Sequence, residues 1–233
     1  MRIGAHQPEH LPWIGFFDRI NQVDAFVLLD HVNFSKNNFQ NRNRISNKKF
    51  EMWEWLTIPI FAGSNKQIRE VQVTPREAWY RIYTEKIRHN YSKCRYYDEV
   101  LDKIQIAINQ KSDLLFDINY AFIFEMLKYL KIETPIYRSS QMGLMKTKSE
   151  MLVEICQKLG GDEYVTGVGA IEYIEKEIFF KNKIMIKVRD AQIASNKYSF
   201  EDKRLSIIDT LMRNGRSFSQ ELNELPIQEK VLV

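Results

Sequence analysis

Residues 2–30 of the 233-residue chain read RIGAHQPEHLPWIGFFDRINQVDAFVLLD, and this stretch decides the fold class. Residues 2–5 read as a strand that ends at His6-Gln7-Pro8. Pro8 and Pro12 exclude regular helix or interior strand between them, because proline lacks an amide donor. A helix is expected over residues 13–22, where Ile14, Phe17 and Ile20 recur at spacings of three on one face. Ala25-Phe-Val-Leu-Leu29 is a continuous apolar run of strand length, as in a parallel sheet covered on both sides. Strand, loop, helix and strand make a βαβ unit.

Working outward, residues 31–49 are rich in Asn, Lys and Arg and have no sustained apolar period. They read as an extended functional loop or a weak hairpin. Strand character returns over residues 53–60, and residues 68–73 alternate like an edge strand. Thr74, Pro75 and Glu77 resemble a helix start with a capping box. Helices are expected over 74–90, 97–110 and 114–130, a helical insertion at about 75–131. The βα alternation then resumes: strand 135–139, helix 146–159 ended by Gly160-Gly161, strand 164–167, helix 170–180, strand 184–188 and helix 200–213. The expected fold is an α/β, open, mostly parallel Rossmann-like sheet with a helical insertion.

The composition agrees. With 44% hydrophobic and 27% charged residues the chain is a globular one, too apolar to be disordered. No run approaches the roughly 18 apolar residues of a membrane span, so no membrane insertion is expected. The opening MRIGAHQPEH has no signal-peptide core. Cys94 and Cys156 cannot build a disulfide framework. Together these point to a cytoplasmic protein. The net charge of +4 is mild for a dedicated nucleic-acid binder and suits a phosphate-bearing small-molecule substrate equally well.

Ligands of open α/β sheets bind beyond the carboxyl ends of the strands. His6 and Gln7 follow the first strand there, Asp30 and His31 the second, and Thr166 and Gly167 a later one. His6 before a helix N-terminus suits phosphate binding or acid–base work; a turn-bonded strand-end histidine is the alternative. Asp30 is a candidate to orient His6 or bind a ribose hydroxyl. His6, His10, Asp30 and His31 match no dedicated zinc spacing, and no metal is assigned. In Asn41-Arg42-Asn43-Arg44, alternate residues share a side, so Arg42 and Arg44 are placed to grip a diphosphate or a carboxylate; a solvated basic loop is the alternative. Phe34 and Phe39 nearby keep RNA open as a partner. Thr147 and Glu150 read as a capping box, and Gly167 and Gly169 permit close approach of a ligand.

The blocks HQPEHLPWIGFFDRI, DAFVLLDHVNFSKNNFQNRNRI, WLTIPI and LGGDEYVTGVGAIEYI, with the closing LSIIDTLMRNG, resemble the WbqC-like family over nearly the whole chain. The resemblance implies one α/β domain over residues 1–233 and a role in bacterial surface-polysaccharide (O-antigen, lipopolysaccharide) synthesis. Positions that match are His6, Gln7, Pro8, Trp13, Gly15, Asp30, Phe34, Asn41, Arg42, Arg44 and Gly167. His10 and His31 depart from the family's aromatic and Asp. A looser fold-level likeness to adenylate-forming enzymes with loop histidines makes ATP a candidate cofactor. The function expected is a transferase adding an acyl or aminoacyl group to a nucleotide-linked amino sugar. His6, Gln7 and Asp30 are its catalytic candidates. Trp13, Phe34, Asn41, Arg42, Arg44, Thr166 and Gly167 are its substrate-binding candidates. A non-catalytic nucleotide-sugar or RNA binder is the alternative, and pairing into a homodimer stays open.

Overall fold

The computed structural model describes residues 1–61, 66–191, 204–223 and 228–232. Its frame is a six-stranded sheet. β1 (Arg2–His6), β2 (Ala25–Leu28), β5 (Ile136–Arg138), β6 (Glu163–Gly167) and β7 (Met185–Asp190) run parallel, and β8 (Gln228–Val231) closes one edge antiparallel to β7. The order is β5-β2-β1-β6-β7-β8. The chain therefore steps outward from β1 to β2 and β5, then returns to the other side of β1 at β6. The carboxyl ends of β1 and β6 form the topological switch point, where α/β sheets open a ligand crevice.

Strand alternation sorts the side chains into two layers. Ala25, Val27, Ile3 and Ala5 pack with Met151, Ile155 and Phe179 on one face of the sheet. These last three come from α5 (Lys148–Leu159) and α6 (Lys176–Lys181). Phe26, Leu28 and Val165 pack on the other face, against α1 (Ile14–Asn21) and the helical layer of α2 (Tyr80–Tyr91), α3 (Tyr97–Ile108) and α4 (Leu115–Leu130). The same alternation puts Gly4 and His6 on the α1 face. Gly4 leaves room for Phe26, whose Cδ2 would lie 2.8 Å from a Cβ there, while His6 meets Phe16 edge to face at 5.7 Å.

β3 (Arg42–Ser46) and β4 (Trp53–Thr57) form a separate antiparallel hairpin, so the Asn-rich stretch ends in a real strand. α7 (Ile207–Asn214) and α8 (Phe218–Asn223) complete the helices described. No helix among the described residues is long and apolar enough to cross a membrane.

Several local expectations are corrected. Residues 68–73 are not a strand: Ile68–Glu70 is a 3₁₀ turn, whose Ile68 and Arg69 amides donate to Val32 and Asp30 carbonyls. Thr74 does not cap a helix. Its hydroxyl donates to the Pro59 carbonyl, and the helix is broken at Trp79 before α2 begins. Thr147 makes no side-chain cap bond at α5. The helix expected over 170–180 is mostly turn and begins only at Lys176. That expected over 200–213 begins at Ile207 and its residues 200–203 lie outside the described residues. Gly160 does end α5 in the left-handed region, at φ 71°, where glycine has no Cβ penalty.

Candidate functional site

A cavity of about 790 Å³ opens at the β1/β6 switch point. His6, Gln7, Trp13, Thr166 and Gly167 all line it. The loop between β1 and α1 builds one wall. Leu11 in that loop sits at φ 43°, a strained conformation for a branched side chain. The strain is offset by a dense set of bonds from His10. Its ring nitrogens lie 3.0 Å from Asn119 Oδ1 and 2.8 Å from the Tyr83 hydroxyl, while Asn43 Nδ2 donates to the His10 and Leu11 carbonyls. His10 is wholly buried and ties the loop to α2 and α4.

His6 Nδ1 donates to the Gln7 carbonyl at 2.9 Å. The neutral ring therefore keeps its lone pair on Nε2. Glu9 Oε1 lies 3.8 Å from the same Nδ1, and Glu9 Oε2 is buried without a hydrogen-bond partner. Burial, followed by Arg19 and Arg204, pulls the His6 imidazole down to about 3. Burial pushes Glu9 up to about 7, against the pull of the same two guanidiniums. Two neighbouring titratable groups thus have proton affinities far from their ordinary values, as is common where proton transfer occurs.

Cations surround this pair. Arg19, on α1, is 6% exposed and its guanidinium carbon would lie 3.8 Å from a Cβ at Gly167. Arg204 stacks on Trp13 at 4.4 Å and lines the same cavity, as does Lys148. Asp18 acts on Arg19 through space while Arg189 holds it through two bonds of 3.0 Å. Gly15 is required by Trp13: a methyl at 15 would fall within the indole's own atoms. Gly15→Ala should therefore displace the indole and cost about 1–3 kcal/mol of overpacking strain. A lowered melting temperature together with a shifted tryptophan emission would show it.

Asp30 lies outside the cavity lining and is fully buried. Arg138 Nε and Nη2 reach Oδ2 at 3.0 and 2.9 Å. The Ser139 hydroxyl, the Ser140 amide and the Ser140 hydroxyl also donate to it, at 3.0, 2.8 and 2.7 Å. Burial alone would raise its pKa, but these donors outweigh burial and hold it below the ordinary value. His31 joins this cluster through Ser139 Oγ. The four candidate metal ligands are therefore dispersed: His10 and Asp30 are engaged elsewhere, and only His6 reaches the cavity. Phe34 packs against the core, Asn41 Nδ2 donates to the Ile58 carbonyl, and Arg42 and Arg44 stand on β3 outside the cavity lining.

Sequence reasoning passed over Glu9, Arg19 and Arg204. Asp18-Arg19 interrupting the apolar turn Phe16-Phe17…Ile20 was a readable signal of a buried charge with a task. Glu9, between two prolines in the candidate loop, was another. Nothing local marked Arg204.

A second buried acid lies away from the cavity. Asp209 accepts bonds from the amide and hydroxyl of Ser46, and its Oδ2 has no hydrogen-bond partner. Burial pushes it up to about 6, although the Ser46 and Tyr91 donors pull it down. The folded chain then binds more protons than the unfolded one between about pH 4 and 6. Stability from this group is full below pH 4, falls as pH rises through 6, and is flat above. The loss is on the order of 3 kcal/mol. Asp209→Asn should remove it. Between pH 4 and pH 7 the variant's melting temperature should rise relative to wild type by several degrees.

The fold is thus a mostly parallel α/β sheet whose switch-point cavity is lined by His6 and Glu9 beside Arg19 and Arg204. The WbqC-like protein family model matches residues 7–221, and the chain belongs to that family. It is 28% identical over 188 residues to the uncharacterized protein Rv1507c of Mycobacterium tuberculosis, covering 79% of this chain and 80% of that one. No solved structure matches.

Proposed function

We propose that the protein is a cytoplasmic transferase of surface-polysaccharide synthesis that adds a small acyl or aminoacyl group to the amine of a nucleotide-linked sugar. The observation that supports this most is the His6–Glu9 pair set among Arg19 and Arg204 in the switch-point cavity. His6 Nε2 takes the proton from the substrate amine as its nitrogen attacks the donor carbonyl. The new C–N bond forms as the donor's leaving group departs with its electron pair. Gln7, which accepts from Gln40 Nε2 at 2.5 Å, orients the substrate. The pathway is what the family resemblance implies.

An anionic substrate would also tune the base. After burial, the guanidiniums of Arg19 and Arg204 are what lower the proton affinity of His6. A phosphate that neutralises them raises it, so the imidazole becomes an effective base only when substrate is present. Ionised Glu9, 3.8 Å from Nδ1, would then stabilise the imidazolium. The kcat/KM should accordingly rise with pH through about 7, where Glu9 ionises, and Glu9→Gln should flatten that limb.

The test incubates the protein with UDP- and dTDP-linked amino sugars and three donor classes: acyl thioester, carboxylic acid with ATP, and aminoacyl-tRNA. N-acylated sugar detected by mass spectrometry is the expected result, and the donor that works decides whether ATP takes part. Sugar binding with no product from any donor would overturn the enzyme reading in favour of an accessory binder.

A further inference from the structure

We propose that Arg42, Arg44 and Arg204 form a diphosphate-binding track that runs from the β3–β4 hairpin into the His6 cavity. This deepens the preceding reading, resting on it only in taking a phosphate-bearing ligand.

The hairpin holds two guanidiniums in fixed planes. Arg42 lies 4.1 Å from the Trp55 ring. Arg44 lies 5.0 Å from both Trp53 and Trp55 and 5.2 Å from Phe39. Such stacking orients a guanidinium while leaving its terminal donors for other partners. Arg42 uses one of them on the Asn37 carbonyl at 2.6 Å. The Nε atoms of both arginines are buried without a partner. Neither Arg42, Arg44 nor Arg204 makes an ion pair with a carboxylate of the described residues.

Arg204 connects this surface to the cavity through the backbone. The Ser206 amide donates to the Arg44 carbonyl at 2.8 Å, and the Ile207 amide to the Pro12 carbonyl at 2.9 Å. Segment 204–207 is thereby laid between β3 and the cavity loop, and Arg204 reaches over Trp13 into the cavity. The charges feel one another. After burial, Arg42 and Arg204 lower the proton affinity of Arg44, and Arg204 also lowers that of His6. Three like charges held together are relieved by a ligand with at least two adjacent negative charges. Planar forks favour phosphate oxygens, which they bind bidentately.

A diphosphate can come from a nucleotide or from a lipid carrier, so calorimetry of the full chain would use UDP, dTDP, inorganic pyrophosphate and farnesyl diphosphate. Wild type should bind at least one. An Arg42→Gln/Arg44→Gln double variant and Arg204→Gln should each bind at least tenfold more weakly, whereas Arg88→Gln, which breaks an exposed pair with Glu85 on α2, should bind as wild type. Arg44→Lys keeps the charge without the fork and should also lose affinity, which guards against a folding artefact in the double variant. Preference for UDP or dTDP assigns a nucleotide source; preference for farnesyl diphosphate assigns a lipid source. Failure of wild type to bind any of the four, or wild-type affinity in the Arg42/Arg44 and Arg204 variants, overturns the track. Diphosphate binding by the track without acylation overturns the transferase reading alone. Acylation with an unchanged KM in the double variant overturns the track alone.

Discussion

His6→Ala should lower turnover by about 10²–10⁴-fold, the range lost when a positioned acid–base group is removed, with little change in melting temperature. The expectation has three supports. The ring stands at the carboxyl end of β1, where the switch point places ligands. Its Nδ1 is committed to the Gln7 carbonyl, so the free lone pair belongs to Nε2. The side chain is about two-thirds covered, at 31% exposed, and meets Phe16 edge to face, so truncation removes a partly buried ring and not a central core residue. Steady-state kinetics on the acylation that the panel identifies, beside a thermal melt, would check it. A folded His6→Ala enzyme with wild-type turnover would sink the assignment of His6 as the base. His6→Gln separates the proton from the shape: it restores a hydrogen-bonding side chain but no base, and should be as slow as alanine.

Asp30→Ala should act in the opposite way, on stability far more than on chemistry. Removing one partner of a buried ion pair costs about 3–5 kcal/mol, and for a chain of this size that is roughly 6–20 °C in melting temperature. The reason is the number of donors left behind. Arg138, the Ser139 and Ser140 hydroxyls and the Ser140 amide all point at this carboxylate. Asp30 thereby clamps the end of β2 to the turn after β5, and the helical layer lies in the chain between those strands. Differential scanning calorimetry would measure the loss. Asp30→Asn keeps an acceptor for the serines but removes the charge facing Arg138, and should fall between alanine and wild type. If Asp30→Ala melted like wild type and only turnover fell, Asp30 would belong with the reacting groups after all.

These two residues show where sequence reading stops. Both stand at a strand end in a continuous stretch of 30 residues, and both were catalytic candidates on that ground. The structure brings His6 to the cavity and gives Asp30 to Arg138, Ser139 and Ser140, more than a hundred residues away in the chain. Nothing in the local pattern of residues 25–30 separates a strand-end carboxylate that faces a crevice from one that meets a later turn. The same holds for residues 68–73. Ile68, Val71 and Val73 are buried, and a spacing of three then two suits a 3₁₀ turn followed by extended chain as well as a strand with one irregularity. The donors of Ile68 and Arg69 found acceptors in the β2–β3 connection, and tertiary bonds decided between the two.

What the sequence determined by itself is therefore the part governed by period and covalent geometry. The apolar run at 25–29 had to be covered on both sides, Pro8 and Pro12 had to break regular structure, and the strand–helix alternation had to build a parallel sheet with His6, Gln7, Thr166 and Gly167 at its carboxyl edge. Tertiary structure alone decided which charges face that edge. Glu9, Arg19 and Arg204 come from a loop, a helix and a distant segment, and the electrostatic interactions among them depend on through-space distance and burial. Those quantities follow from how the chain packs, and no local spacing encodes them.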